Sequence, residues 1–104
     1  MKILNDHEGR AIRLTDERLA HILAHPEMQG MEGRIEETVR RPEKVLESLS
    51  DPQARLYYRL YLGTQVGDKH PCVAVKVADN DAFVLTAYLV RQPAGSRQLW
   101  PKGN

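Results

Sequence analysis

The sequence predicts an α+β fold in which two N-terminal helices pack on one face of a three- to five-stranded antiparallel sheet. Apolar residues recur at helical spacing in the first half of the chain, whereas Arg55 to Leu62 alternates with the period of a strand. Pro71 to Arg91 holds two runs rich in β-branched residues, broken at Asp79-Asn80-Asp81, and reads as a β-hairpin. Helices followed by a run of strands place the helices together against one sheet, not between parallel strands.

The elements follow in order. Lys2-Ile3-Leu4 and Arg10 to Leu14 flank a turn-forming Asn-Asp-His-Glu-Gly, which fits a short N-terminal hairpin or a single strand. Thr15 is a good N-cap, Asp16 and Glu17 suit a helix start, and Leu14 with Leu19 can form a hydrophobic staple. The first helix runs from Asp16 to about His25, its stripe Leu19, Ile22 and Leu23, and Pro26 ends it. Met31, Ile35 and Val39 give a second helix ending at Arg41-Pro42, with Glu36 and Glu37 four residues before Arg40 and Arg41 as a solvated charged face. Lys44 to Leu49 fits a short strand, and Ser50-Asp51-Pro52 a turn. In Arg55 to Leu62 the leucines and Tyr58 share one face, and Arg55, Tyr57, Arg59 and Tyr61 the other.

At 104 residues the chain has the size of one compact domain, so 1–104 reads as a single domain with an irregular tail over about 92–104 and Trp100 packed back. No apolar run approaches the roughly 18 residues of a membrane span, and the N-terminus lacks the apolar segment of a secretory signal. A cytoplasmic protein with no membrane partner is expected. The single Cys72 excludes an internal disulfide and a cysteine-rich zinc site. Net charge is +1, which argues against strong nonspecific nucleic-acid binding by the whole chain. Residues 1–51 carry 8 Lys/Arg against 11 Asp/Glu, and residues 52–104 carry 7 against 3, so the β-rich half is the basic half.

The function expected depends on the hairpin register. A two-residue Asn80-Asp81 turn puts Lys76 among Phe83 and Leu85. A three-residue connection puts it beside Thr86 and Tyr88 and is preferred, because it spares a lysine from burial among leucines. The polar face then gathers Arg55, Tyr57, Arg59, Lys76, Thr86 and Tyr88, while Leu56, Leu60, the valines and Phe83 face the helices. Cations neutralise phosphate, hydroxyls position it, and tyrosines stack on unpaired bases, so RNA is the expected partner. Metal-free cleavage needs an acid and a base, for which His21 and His25 are the candidates, joined by His70. The same alternation is also what a solvated strand shows, and both helix histidines lie off the apolar stripe. No metal or cofactor is expected: His-Ile-Leu-Ala-His lacks the glutamate of the zinc hydrolase motif and has no evident third ligand.

The pattern Leu-Thr-Asp-Glu-Arg-Leu-Ala-His-Ile-Leu-Ala-His-Pro-Glu-Met, then Arg-Arg-Pro-Glu-Lys-Val, Arg-Leu-Tyr-Tyr-Arg-Leu-Tyr, Val-Ala-Val-Lys-Val and Phe-Val-Leu-Thr-Ala-Tyr-Leu-Val, resembles the barnase/EndoU/colicin/RelE-like group of phage- and toxin-associated ribonuclease domains. The resemblance implies helices packed on an antiparallel sheet and a metal-independent endoribonuclease of toxin or phage-defence type. Carried onto this chain it implies His25 and His21 as acid/base groups, with Arg55, Lys76, Thr86 and Tyr88 binding and positioning the phosphate. The alternative is a noncatalytic module of the same fold that binds RNA or a protein partner, as an antitoxin does.

Overall fold

The computed structural model describes residues 1–64 and 66–102. It begins with a hairpin, β1 (Lys2–Asn5) and β2 (Ala11–Leu14), which leads into α1 (Asp16–Leu23), a 3₁₀ turn (Pro26–Met28) and α2 (Glu32–Arg40). Then come β3 (Lys44–Glu47), β4 (Ala54–Tyr58), β5 (Tyr61–Thr64), β6 (Gly67–Ala78), β7 (Asp81–Val90) and β8 (Gln98–Trp100). Thr15 caps α1 as expected, its hydroxyl accepting the Arg18 N–H at 3.1 Å.

The expected sheet of three to five antiparallel strands is overturned. The described residues form one mixed sheet of eight strands, in the order β1-β2-β7-β6-β4-β3-β8, with β5 also paired to β6. One pairing is parallel, with Arg13 of β2 opposite Phe83 of β7. Three features hide this from the sequence. Strands of three or four residues are too short for periodicity to register. The run Arg55–Leu62, read as one strand, is two, β4 and β5, lying in sequence along β6. Their interruption at Arg59-Leu60 falls opposite Pro71, which has no N–H to give a ladder. Finally, the tail expected to be irregular contributes β8, paired with β3, and brings Trp100 against the core as anticipated; residues 103–104 of that tail lie outside the described residues.

The core fills the space between the helices and one sheet face, here the inner face. Ile22, Met28, Met31, Ile35 and Val39 meet Leu4, Ile12, Leu14, Val73, Val75, Val84 and Ala87 there. Tyr57 opposite Val73, and Arg55 opposite Val75, share that face. The Arg/Tyr row therefore points toward the helices, the reverse of the expected orientation. Alternation shows that a strand has two faces, but amphipathic side chains do not say which is buried. Tyr57 is fully buried, and its hydroxyl donates to Asp6 at 2.7 Å. Arg59 donates to the Arg41 carbonyl at 2.7 Å, and the Tyr61 hydroxyl to Glu37 of α2. Glu36 pairs with Lys2 at 3.1 Å. The acidic row of α2 thus serves the sheet, not only its own helix.

Among the described residues Asp6 is the one buried carboxylate, 4% exposed. It accepts from the Glu8 and Arg10 N–H groups at 2.9 and 2.8 Å, from the Arg10 guanidinium at 3.1 Å, and from Tyr57. Burial alone would push its pKa up, but the Tyr57 hydroxyl, the two N–H donors and the charge of Arg10 outweigh it and hold the carboxyl below its ordinary value. Removing one side of such a network strands the other. Asp6→Ala is expected to cost about 3 kcal/mol or more, and Tyr57→Phe about 1.5–3 kcal/mol, in urea unfolding at neutral pH. A carboxyl with a depressed folded pKa stabilises above its unfolded pKa and loses that contribution as the pH falls. Wild-type stability should therefore drop below about pH 4, and Asp6→Asn should flatten that acid limb.

Candidate functional site

The sheet face turned away from the helices, here the open face, carries four of the residues singled out in the sequence: Lys76, Thr86, Tyr88 and, farther along β6, His70. The β6–β7 turn is two residues, Asp79-Asn80, with Ala78 opposite Asp81 and Lys76 opposite Phe83. Past Val75 and Val84 the register shifts, because Leu85 is an extra residue in β7, and Ala74 then lies opposite Thr86 and Cys72 opposite Tyr88. The extra residue expected in the turn is thus a bulge inside the strand. Lys76, Thr86 and Tyr88 share the open face as the preferred register required. Lys76 and Thr86 are diagonal neighbours across the bulge.

Of the apolar residues expected against the helices, Phe83 is displaced by the turn, and Leu56 and Leu60 by the face that the Arg55–Leu62 run presents. Phe83 stands on the open face and Val84 takes its expected place in the core. Leu56 follows Tyr57 with the opposite orientation, on the open face beside Ala74. At one end the chain after β7 crosses this face: Tyr58 donates its hydroxyl to the Ala94 carbonyl at 2.7 Å, and Gly95 lies so close to Leu46 that an added Cβ would stand 2.7 Å from that side chain. Cys72 is buried beneath Tyr58 and Tyr88, and its thiol is pushed up by burial. Tyr88 is 41% exposed, while Lys76, Phe83 and Thr86 are half-buried.

The cations of this face are held by carboxylates. Lys76 pairs with Asp51 of the β3–β4 connection, and that hydrogen bond, with the Gln53 N–H, keeps Asp51 below its ordinary value. Arg13 forms a forked pair with Asp81 at 2.9 and 2.6 Å, and its guanidinium lies 5.4 Å from the Phe83 ring centroid. Neither Arg13 nor Phe83 was anticipated here. Only the parallel pairing of β2 with β7 brings them together, and the sequence carried no signal for it.

The other expected site residues lie elsewhere. Arg55, Tyr57 and Arg59 are on the inner face, so the sheet separates them from Lys76, Thr86 and Tyr88. His21 and His25 are exposed on and just after α1, their rings 6.0 Å apart and edge to face. Helix α1 packs against β7 from the inner face, where Ile22 joins Val84 and Ala87 in the core, so the sheet lies between this helix and the open face that carries Thr86 and Tyr88. His70, the third histidine of the expected site, lies within β6 on the open face, with Nδ1 3.1 Å from the Arg91 carbonyl. Six residues of strand, about 20 Å, separate it from Lys76. Among the described residues no group of three His, Cys, Asp or Glu side chains is placed to hold a metal ion, and no helix is long and apolar enough to cross a membrane.

A second polar cluster lies on the inner side, around the β1–β2 turn. Glu8 stands 3.7 Å from Arg10 and 3.8 Å from Arg55, and His7 lies between the Tyr57 and Trp100 rings. Sequence reading saw only a turn in this segment, although its density of charge in six residues was a usable signal. In comparisons with family models, curated proteins and solved structures, the chain matches none.

All four tyrosines resist ionisation. Burial raises Tyr57 and Tyr58 well above the ordinary phenol range, and Tyr61 and Tyr88 to about 12, the last helped by Cys72. A raised folded pKa stabilises below the unfolded value of 10 and is lost as the pH rises through the folded one. Phenolate absorbance should therefore rise only together with the loss of circular dichroism in strong alkali. A phenol that titrates near about pH 10 in the native protein would contradict this packing.

Proposed function

We propose that the open face binds single-stranded RNA. The observation that carries this reading is the register past the Leu85 bulge, which sets Lys76, Thr86 and Tyr88 in one row of about 13 Å on a face the helices leave free. An ammonium group for phosphate, a hydroxyl to orient it, and the Tyr88 and Phe83 rings for stacking suit an unpaired strand. A duplex hides its bases from such rings. Near-neutral net charge fits a contact of few phosphates.

A second reading, metal-independent cleavage of the bound RNA, is favoured by one observation: His21 and His25 are exposed together, their rings 6.0 Å apart. Cleavage needs an acid and a base at one phosphate, and fixed positive charge to stabilise the pentacoordinate state. Arg55 and Arg59 lie across the sheet from Lys76, so binding is the better-supported of the two.

Anisotropy of a labelled single-stranded oligoribonucleotide tests both. Tyr88→Ala is expected to weaken binding by about 1–3 kcal/mol through lost stacking. Lys76→Ala should weaken it for all sequences alike and lower the salt slope by about one. Unchanged affinity in both variants, or no retention by the wild type, removes the binding reading. Fragments that form in EDTA with wild type and disappear with His21→Ala or His25→Ala would establish cleavage; intact RNA excludes it.

A further inference from the structure

We propose that Arg10, Arg55 and His7 form a cradle for a phosphate monoester, which the protein's own Glu8 occupies in the free state. Three donors converge on one point from two parts of the chain. Oε1 of Glu8 lies 3.7 Å from Arg10 Nη1, 3.8 Å from Arg55 Nη1 and 4.0 Å from His7 Nε2. None of these is a hydrogen bond, so the carboxylate sits among donors without satisfying any of them.

The distances have a chemical meaning. A P–O bond of about 1.5 Å and an N···O hydrogen bond of about 2.8 Å, bent at the oxygen, place a donor nitrogen about 3.8 Å from phosphorus. The point held by Oε1 is therefore at phosphorus distance from all three donors. A tetrahedral phosphate there turns a separate oxygen to each, whereas a carboxylate oxygen cannot approach one without leaving another.

His7 gives an independent sign of an unfilled role. Its side chain is only 8% exposed, and both ring nitrogens are covered and without a hydrogen-bond partner among the described residues. A buried, unpartnered imidazole is costly unless something in the functional state satisfies it. Nε2 points toward Glu8, while Nδ1 lies 4.0 Å from Asp6. Glu8 itself is 53% exposed and free to turn into water. Once it does so, the cradle holds Arg10 and Arg55 against Asp6 alone, a net positive site backed by the Tyr57 and Trp100 rings. The cradle is on the inner side of the sheet and does not depend on RNA binding at the open face.

Trp100, the single tryptophan, has its ring 4.7 Å from that of His7 and reports on the cradle. Inorganic phosphate, added at ionic strength held constant with chloride, should change its fluorescence saturably. Glu8→Gln should tighten binding about tenfold by removing the internal competitor, and Arg55→Gln should weaken it at least about tenfold with unchanged circular dichroism. Where Arg55→Gln fails to fold, Arg55→Lys, which keeps the charge and loses the fork, should weaken binding in its place. No saturable change in wild type and in Glu8→Gln, or equal binding by the folded Arg55 variant, overturns the proposal. An oligoribonucleotide that binds more tightly with a 5′-phosphate than with a 5′-hydroxyl identifies an RNA end as the source of the group, and equal binding identifies a free phosphate.

Discussion

The bond between the buried Asp6 carboxylate and the Tyr57 hydroxyl is the constraint on which the rest of the molecule depends. Asp6 leaves the end of β1, an edge strand, while Tyr57 belongs to β4, which is separated from β1 by β2, β7 and β6. A flat sheet would hold these residues about four strand spacings, or about 19 Å, apart. Their contact at 2.7 Å requires the sheet to curl until its first turn meets its fifth strand. The His7 ring against Trp100 of β8, the strand at the opposite end of the order, shows how far that curl goes. The carboxylate also organises the turn itself, because it takes the N–H groups of Glu8 and Arg10 that a loose loop would leave to water.

The curl accounts for the placing of charge. A concave inner face that closes on itself has room for long side chains between sheet and helices, so Arg55, Arg59, Tyr57 and Tyr61 turn inward, and Arg59, Tyr57 and Tyr61 find acceptors there. Tyr61 gives its hydroxyl to Glu37, which lowers that carboxyl, and Arg34 of α2 stacks its guanidinium 4.8 Å from the Tyr61 ring centroid. The leucines of the same run are left outside, and Leu60 and Leu62 are exposed. Burial here follows the availability of partners as much as hydropathy. A tyrosine whose hydroxyl is satisfied is as good a core residue as a leucine.

Much of the local structure was legible in the residues. The Thr15 cap, the acidic first turn of α1, the helical spacing of α2 and the strand pair on either side of Asp79-Asn80 all act within a few positions of sequence, where propensity and periodicity operate. The sharing of one face by Lys76, Thr86 and Tyr88 was legible as well, though through a bulge at Leu85 and not through the turn. What the residues do not display is long-range. The parallel contact of Arg13 with Phe83, the pairing of β8 with β3 and the choice of inner face for β4 go with the closure of the sheet, which an aspartate in what reads as an ordinary turn helps to hold together with the shared core. The cluster around Glu8 escaped for the same reason, since Arg55 is far from it in sequence and approaches it only through the curl.

Cations at the turn-bearing end of the sheet are paired with carboxylates on neighbouring loops or at a strand's start: Lys76 with Asp51, Arg13 with Asp81, Arg55 with Glu8. An anion arriving at any of them competes with a carboxylate already in place. Exposed pairs of this kind are worth about 0–1 kcal/mol, so an incoming phosphate, with more acceptor oxygens and greater charge, needs little advantage to displace one. Arg10 differs, because its partner Asp6 is buried and bonded from four directions and cannot turn away to water. The chain thus separates two kinds of ion pair. One is anchored on the buried carboxylate that also holds Tyr57, and several open ones keep the cations positioned yet available. Affinity for anions at these positions is set less by the number of basic residues than by how readily each acidic neighbour gives way.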